Sequence, residues 1–266
     1  MIVKRTKTIL AVCTIILVTG CANKPKNNAI IANVSGDGNV VSINGSNVAE
    51  TEMKDFLEET VIKTNNVETH GHVEDVAEIA FYEKNINVNI LPSTSDDIEL
   101  KLSGTVPKDG DVKLSPDLLN GRLIVNVEGN LINCNLTCTI GIPQKKFKNL
   151  IIEAENGNIK AVGDEINIHL MSFVTTNGNV KTNVFSEVFC VKTENGNIDS
   201  VFNVTKNAMI TYLSQNGNID VDIQNVKSLD ASIYTENGRI KNNFVTNGEY
   251  TVDGEIHTSN GNIIIK

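Results

Sequence analysis

The chain has 266 residues, of which 40% are hydrophobic and 5% aromatic, with no tryptophan. This apolar fraction suffices for a packed core and excludes wholesale disorder. The formal net charge of −9 argues against nucleic-acid binding, which requires clustered lysine and arginine. Asparagine is unusually abundant, with 37 residues, and it favours turns over helix interiors, so a helical bundle is disfavoured.

Residues 1–20 have the features of a secretory signal peptide. Three basic residues precede an apolar run that is shorter than the roughly 20 residues of a membrane-spanning helix. The end of the run, Val18-Thr19-Gly20-Cys21, resembles a bacterial lipobox. That resemblance implies that Cys21 becomes the lipid-modified first residue of the mature protein. We therefore expect a lipoprotein of the cell envelope, extracytoplasmic and held to a membrane by its N-terminal lipid, with a mature net charge of −12.

The segment between this anchor and the repeats has two predicted parts. Residues 21–50 are predicted to form a polar tether and a small N-terminal β segment. Residues 51–75 are predicted to be a cap or linker, in which Met53, Phe56, Leu57 and Val61 have the spacing of a short amphipathic helix. The remaining residues, 76–266, form the predicted repeat domain.

A repeated corner motif dominates the C-terminal half. Five copies of Asn-Gly-Asn and one variant, Asn237-Gly238-Arg239, recur with their glycines 21, 18, 21, 21 and 23 residues apart. A β-branched residue follows each motif, and alternating apolar residues precede it, which indicates a strand, a turn and a second strand. The copies are Asn156-Gly157, Asn177-Gly178, Asn195-Gly196, Asn216-Gly217, Asn237-Gly238 and Asn260-Gly261.

A period near 21 residues is twice that of a stack of hairpins and predicts a β-solenoid with one turn repeated at the same corner. The alternative is a β-sandwich or meander with many Asn-Gly hairpins. In a solenoid the asparagines would stack about 4.8 Å apart and hydrogen-bond in a ladder. We attribute the Asn-Gly pairs to the tolerance of both residues for positive φ. The apolar last strand, Ile263-Ile264-Ile265, is predicted to leave an open edge that a loop covers or a partner contacts.

The middle of the chain carries a family resemblance. Residues 97–104, Gly121-Arg122-Leu123-Ile124-Val125, Ile140-Gly141-Ile142-Pro143 and the serial Thr-x-Asn-Gly-Asn-Ile rungs resemble the putative adhesin family called domain of unknown function 4097, which is close to the head GIN domain adhesins. The resemblance covers roughly residues 76–266. It implies an all-β, right-handed parallel β-solenoid outside the cytoplasm, with no established activity.

Three functions are compatible with these features. The first is a lipid-anchored adhesin or surface scaffold that binds a cell-surface or matrix ligand through extended faces. The second is an accessory or regulatory module of envelope-stress sensing. The third is a carbohydrate-active enzyme, whose acids would belong to an outward column of Lys160, Lys181, Asp199, Asp220 and Lys241. We favour a non-enzymatic role and predict no catalytic residue, metal site, cofactor or nucleic-acid partner, since the sequence lacks the motifs that carry such chemistry.

Three cysteines remain beyond the signal peptide and the anchor. Cys134 and Cys138 are too far apart in a strand for a mutual disulfide, and a bridge from either one to Cys190 is left open. We expect all three to be buried as small hydrophobic residues.

Overall fold

The computed structural model describes residues 33–34, 41–43, 46–48, 70–71, 76–107, 111–144 and 147–266. The chain divides into two units, Met1–Thr60 and Val61–Lys266, and each is described by itself. In the first unit, β1 (Asn33–Val34), β2 (Val41–Ile43) and β3 (Ser46–Val48) form an antiparallel sheet in that order. The predicted signal peptide, Cys21 and the predicted polar tether and capping helix lie outside the described residues.

The second unit consists of strands and their connections in the part of the chain that the structure describes. Within that part, no helix has the length and apolar character needed to cross a membrane. In chain order the strands are β4 (His70–Gly71), β5 (Glu78–Glu83), β6 (Ile86–Pro92), β7 (Ile98–Thr105), β8 (Lys113–Leu119), β9 (Arg122–Glu128), β10 (Asn135–Ile142), β11 (Phe147–Ala154), β12 (Ile159–Thr175), β13 (Val180–Thr193), β14 (Ile198–Asn203), β15 (Ala208–Asn216), β16 (Ile219–Gln224), β17 (Val226–Asn237), β18 (Ile240–Asn242), β19 (Tyr250–Asn260) and β20 (Ile263–Ile265).

These strands stack in layers, and each layer contributes one strand to each of two walls around a common core. Wall A has the order β8-β9-β5-β11-β12-β13-β15-β19-β17. Wall B has the order β7-β10-β6-β12-β13-β14-β16-β20-β18, because the long strands β12 and β13 start in wall B and end in wall A. Only the outermost pairs, β7 with β10 and β8 with β9, are antiparallel in these two series. The predicted parallel β-solenoid is confirmed.

The spatial order of the layers differs from the chain order at both ends. The last rung, β19 and β20, lies between the β15/β16 layer and the β17/β18 layer. In the same way, β9 and β10 lie between the β5/β6 layer and the β7/β8 layer.

The predicted open edge at the C-terminal strand is therefore wrong. β20 has a hydrogen-bonded neighbour on each side, and Ile263 and Ile265 face the core and are fully buried. Among the described residues the outermost layer at this end, which we call the open end, is β17/β18, where Tyr234 and Ile240 are exposed. The connection after β18 takes the chain back into the stack, so the last strand closes the structure from within.

The core is formed by alternate residues of each strand, as the two-residue period of the sequence predicts. Its largest cluster is aromatic: the ring of Phe189 lies 5.6 to 5.7 Å from the rings of Phe173, Phe202 and Tyr212. The Tyr212 hydroxyl is paired inside this apolar core with Ser200 Oγ at 2.8 Å. Burial raises the pKa of Tyr212 above its usual range, so the phenol stays neutral.

Close contact between layers, rather than positive φ, requires the corner glycines. The described glycines with positive φ are Gly104, Gly121, Gly129 and Gly163, none of which belongs to the six repeated corners. Positive φ at both residues is found instead in the Asn120-Gly121 turn between β8 and β9. A Cβ placed on Gly196 would instead lie 1.9 Å from the carbonyl oxygen of Gly178 in the next layer. The turn-based explanation of the sequence pattern is thus wrong, and the physical reason is steric exclusion of any side chain between stacked backbones.

Replacement of Gly196 tests this packing. Gly196→Ala should lower the free energy of unfolding by about 3 kcal/mol, because the backbone of the neighbouring layer has to move away. Gly141→Ala is the control: its Cβ would meet the side chain of Glu99 at 3.0 Å, and a cost of about 1 kcal/mol is expected. Urea denaturation of both variants measures the difference, and equal losses would contradict the stacking explanation.

Candidate functional site

The Asn-Gly corners form a continuous side-chain ladder along one edge of the solenoid. The first asparagine of each corner donates its Nδ2 to the Oδ1 of the equivalent asparagine in the preceding layer, at 2.7 to 2.9 Å. In spatial order the ladder contains Asn85, Asn156, Asn177, Asn195, Asn216, Asn260 and Asn237. All of its donors point toward the N-terminal end of the stack, so the ladder has a direction.

The residues two positions after these asparagines form a second ladder. In it, a backbone N of one layer donates to a side-chain Oδ1 of the preceding layer. Asn179 N donates to Asn158 Oδ1 at 2.9 Å, and the same bond recurs along the stack up to Asn262. The outermost layer has Arg239 at this position, and its backbone N donates to Asn262 Oδ1 at 3.0 Å. No described layer follows Arg239. No backbone N of a further layer therefore needs a side-chain acceptor at this position. This explains the one copy of the motif that departs from Asn-Gly-Asn.

Hydroxyl groups complete the corner between these ladders. The residue three positions before each glycine is small in the sequence, and in the structure its hydroxyl donates to the glycine carbonyl of the preceding layer. Thr175 Oγ1 donates to Gly157 O at 3.0 Å, and Thr193 Oγ1 donates to Gly178 O at the same distance. Equivalent bonds join Ser214 to Gly196, Thr258 to Gly217 and Thr235 to Gly261. Ala154 lacks this hydroxyl, and its neighbouring layer has no corner glycine.

Sequence reasoning missed one corner of the stack. Asn85-Ile86-Asn87 carries both ladders into the β5/β6 layer, although Ile86 occupies the place of glycine. The run from Asn85 to Ile90 reads as a plain alternating strand, which hid the corner. The signal that identifies it is the Asn-x-Asn spacing followed by Val88, the same spacing as in the glycine-containing corners.

The outward column on wall B is held by ion pairs. Lys160, Lys181, Asp199 and Asp220 are direct neighbours in successive layers, followed by Ile264 and only then by Lys241. Lys181 Nζ lies 2.8 Å from Asp199 Oδ2, and Lys266 Nζ lies 2.9 Å from Asp220 Oδ2. Asp199 and Asp220, the acids that a carbohydrate-active enzyme would use, are thus both paired with lysines. Among the described residues no group of three or more His, Cys, Asp or Glu is placed to hold a metal.

Wall A has a different outer surface, which we call the apolar face. It comprises Ile151, Leu170, Val174, Val188, Met209 and Leu213, which lie on adjacent strands and are all partly exposed. Ser172 points outward in its middle, yet its neighbours leave only 1% of it exposed. The Ser172 Oγ has no hydrogen-bond partner among the described residues. The face therefore combines flat apolar surface with one unpaired polar atom.

Carboxylates border the apolar face toward the open end of the solenoid. Asp253 lies directly beside Met209, and Glu255 lies beside Thr211 in the next strand of wall A. Asp230 lies beside Asp253 in the outermost strand. Lys192 is the one basic residue placed between Val174 and Leu213. The face thus has one uninterrupted apolar row, Leu170, Val188 and Met209, and it is acidic along one border.

A charged cluster marks the corner opposite the Asn-Gly ladder. Glu187 Oε1 contacts His169 Nδ1 at 3.1 Å and also pairs with Lys206. Lys206 and His169 lower the pKa of the Glu187 carboxyl, so it is charged at neutral pH. The His169 side chain is exposed and those of Glu187 and Lys206 are partly exposed, and we assign the three a role in corner geometry only.

No disulfide joins the described cysteines. Cys138 points into the core from wall B, whereas Cys190 lies on the outer side of wall A, so the bridge that the sequence left open does not form. Burial raises the pKa of the Cys138 thiol to about 12. The expectation that all three are buried holds for Cys138, while Cys134 and Cys190 are partly exposed.

Substitutions in the middle and at the outer end of the second ladder test its contribution. Asn197→Ala should lower the free energy of unfolding by about 1 kcal/mol, since it removes the acceptor of the Asn218 backbone N. Arg239→Ala should leave it nearly unchanged, because only the backbone of Arg239 takes part in the ladder. Urea denaturation measures both values. A loss for Arg239→Ala as large as that for Asn197→Ala would contradict the ladder described here.

Comparison with known proteins finds a matching family model and solved structures of similar fold. The family model described as Toastrack DUF4097 matches residues 76–266. A solved structure of a putative cell adhesion protein from Clostridium sporogenes aligns with a TM-score of 0.50 at 13% identity, covering 77% of this chain and 99% of that chain. A putative adhesin from Bacteroides fragilis aligns with a TM-score of 0.43 at 13% identity, covering 77% and 98%. No curated protein matches the chain. Since the family model spans more than half of the chain, the protein belongs to the Toastrack DUF4097 family.

Proposed function

We propose that the protein is a lipid-anchored surface adhesin or scaffold that binds a macromolecular partner through the apolar face of wall A. The observation that carries this proposal is the face itself. Leu170, Val188 and Met209 lie side by side on three successive strands, whereas the outward column of wall B is mostly charged. The other three apolar residues flank the row of Ser172, Cys190 and Thr211. An exposed apolar patch with polar residues around it is typical of a binding site. The adhesion-related descriptions of the Clostridium and Bacteroides structures agree with this role.

The unpaired hydroxyl of Ser172 supports binding at the centre of this face. A buried polar atom without a partner costs free energy that a hydrogen bond to a ligand recovers. Ser172 Oγ is enclosed by apolar neighbours and points outward from wall A. A partner that displaces the side chains covering Ser172 and places a polar group there gains this bond in addition to burial of the apolar residues.

The acidic border defines the chemistry of the partner. Asp230, Asp253 and Glu255 would face the edge of any molecule that covers Met209 and Leu213. Complementary charge on the partner speeds association and selects the orientation. We therefore assign the partner as a protein surface that is apolar at its centre and basic at one edge. A glycan ligand is less suited, because the chain has four tyrosines and no tryptophan for stacking on sugars.

The charges on wall B support a role without catalysis. Glycoside hydrolysis needs one carboxyl group that stays protonated and a second that acts as base or nucleophile. Asp199 and Asp220 instead pair with Lys181 and Lys266 in exposed positions. These ion pairs are the arrangement of a solvated face.

Introduction of positive charge on the apolar face tests the binding role. The double variant Met209→Lys, Leu213→Lys should weaken binding to a panel of immobilised matrix proteins by at least about tenfold, because it buries two charges in the contact. Val201→Lys is the matched control: it adds a lysine at a similarly exposed position on wall B and should bind like the unmodified protein. Surface plasmon resonance gives the affinities. Equal loss in the control, or no loss in the double variant, would contradict the proposed face.

The lipid anchor is tested by the residue that would carry it. Cys21→Ser should move the protein from the membrane fraction to the soluble extracytoplasmic fraction and abolish incorporation of labelled fatty acid. Cys13→Ser lies inside the proposed signal peptide and should leave both readouts unchanged. Retention of Cys21→Ser in the membrane, with label still incorporated, would exclude this anchor.

A further inference from the structure

The outermost Asn-Gly corner differs from the others in a way that matters for covalent chemistry. In an Asn-Gly pair the glycine nitrogen can attack the asparagine side-chain Cγ, because glycine has no side chain to hinder the approach. This ring closure requires the side chain to leave its hydrogen bonds and the glycine nitrogen to be accessible. The stacked layers control both conditions.

The inner corners are locked by contacts on both sides. Asn195, for example, donates its Nδ2 to Asn177 and accepts at its Oδ1 from Asn216, both at 2.9 Å. In two inner corners the glycine nitrogen also donates a hydrogen bond to the next layer. Gly217 N donates to Asn260 O at 3.0 Å, and Gly261 N donates to Asn237 O at 3.2 Å. To react, an inner asparagine has to break its ladder bonds to two layers at once.

Asn237-Gly238 is bound on one side alone. Asn237 donates its Nδ2 to Asn260 at 2.9 Å, but no described residue donates to its Oδ1. In the two neighbouring layers the glycine N donates to a carbonyl oxygen of the layer outside it. The layer of Gly238 is the last of the described stack, so no described layer offers such an acceptor to Gly238 N. Gly238 is also exposed, whereas Gly157 and Gly178 are buried.

We infer that Asn237-Gly238 is a site of spontaneous deamidation in the folded protein, a modification that the five inner corners resist. The Gly238 backbone nitrogen attacks Asn237 Cγ, the bond from Cγ to Nδ2 breaks, and ammonia leaves with the proton from Gly238 N. The product is a five-membered succinimide. Water then opens this ring at either carbonyl and leaves an aspartate or an isoaspartate at position 237.

The modification would change the open end of the solenoid. A carboxylate cannot donate to Asn260 Oδ1, so the outermost bond of the ladder is lost. An isoaspartate also adds a backbone atom between β17 and β18. The corner is tightly packed there, since a Cβ placed on Gly238 would lie only 1.8 Å from Gly261 O. The β17/β18 layer should therefore loosen after deamidation and expose the edge of β19 and β20.

The six corners of one chain provide their own controls. The full chain, purified in detergent, is incubated at pH 8 with and without urea, and peptide mass spectrometry follows the one-dalton mass increase at each corner. In the folded protein, Asn237 should deamidate at least about tenfold faster than Asn156, Asn177, Asn195, Asn216 and Asn260, since each of those breaks additional hydrogen bonds. In urea the six rates should converge, because the local sequences are nearly the same.

A chemical trap and one variant complete the test. Hydroxylamine attacks the succinimide and should cut the folded chain at Asn237, releasing the fragment that begins at Gly238. Asn237→Gln should prevent this cut, because its longer side chain does not close the five-membered ring. Equal rates at all six corners of the folded protein, or no reaction at Asn237 while the urea sample reacts, would overturn the inference.

Discussion

The structure depends on the close approach of successive backbones at the Asn-Gly corner. Each corner glycine lies so near the backbone of a neighbouring layer that a Cβ would lie about 2 Å from a carbonyl oxygen, as at Gly196 and Gly217. This approach places the flanking asparagines within hydrogen-bond distance of their neighbours. The ladders, the hydroxyl bonds of Thr175 and Thr193, and the register of both walls follow from it.

The sequence predicted the architecture because the corner and its flanks repeat. Strand alternation, stacking of the asparagines and the parallel solenoid could all be derived from spacing. The spatial order of the layers could not, since β19/β20 carries the same motif as the rungs on either side. Arg239 is the residue that hints at the true end, because only an outermost layer can replace the accepting asparagine. The function of the small residues before each glycine required coordinates, since their partners belong to another layer.

The candidate surface was less predictable than the fold. Outward positions on wall A, such as Met209 and Leu213, alternate with core residues in the sequence and look like ordinary strand positions. Their contiguity depends on which rungs are neighbours in space. The outward column on wall B could be read from the sequence, but its ion pairs bring in Lys266, which lies outside the repeat positions. The repeated corner thus joins wall A, which carries the apolar face, to wall B, which carries the charged outward column.

The order of the layers at the C-terminal end is the central structural claim, and amide hydrogen exchange tests it most directly. Ile263–Ile265 lies between two layers, whereas Ile240–Asn242 forms the outermost one. The amides of Ile263–Ile265 should exchange about 100-fold or more slowly than those of Ile240–Asn242, because their hydrogen bonds open only when a neighbouring layer detaches. Faster exchange in Ile263–Ile265 than in Ile240–Asn242 would show that the chain ends on the outside of the stack and would contradict the account.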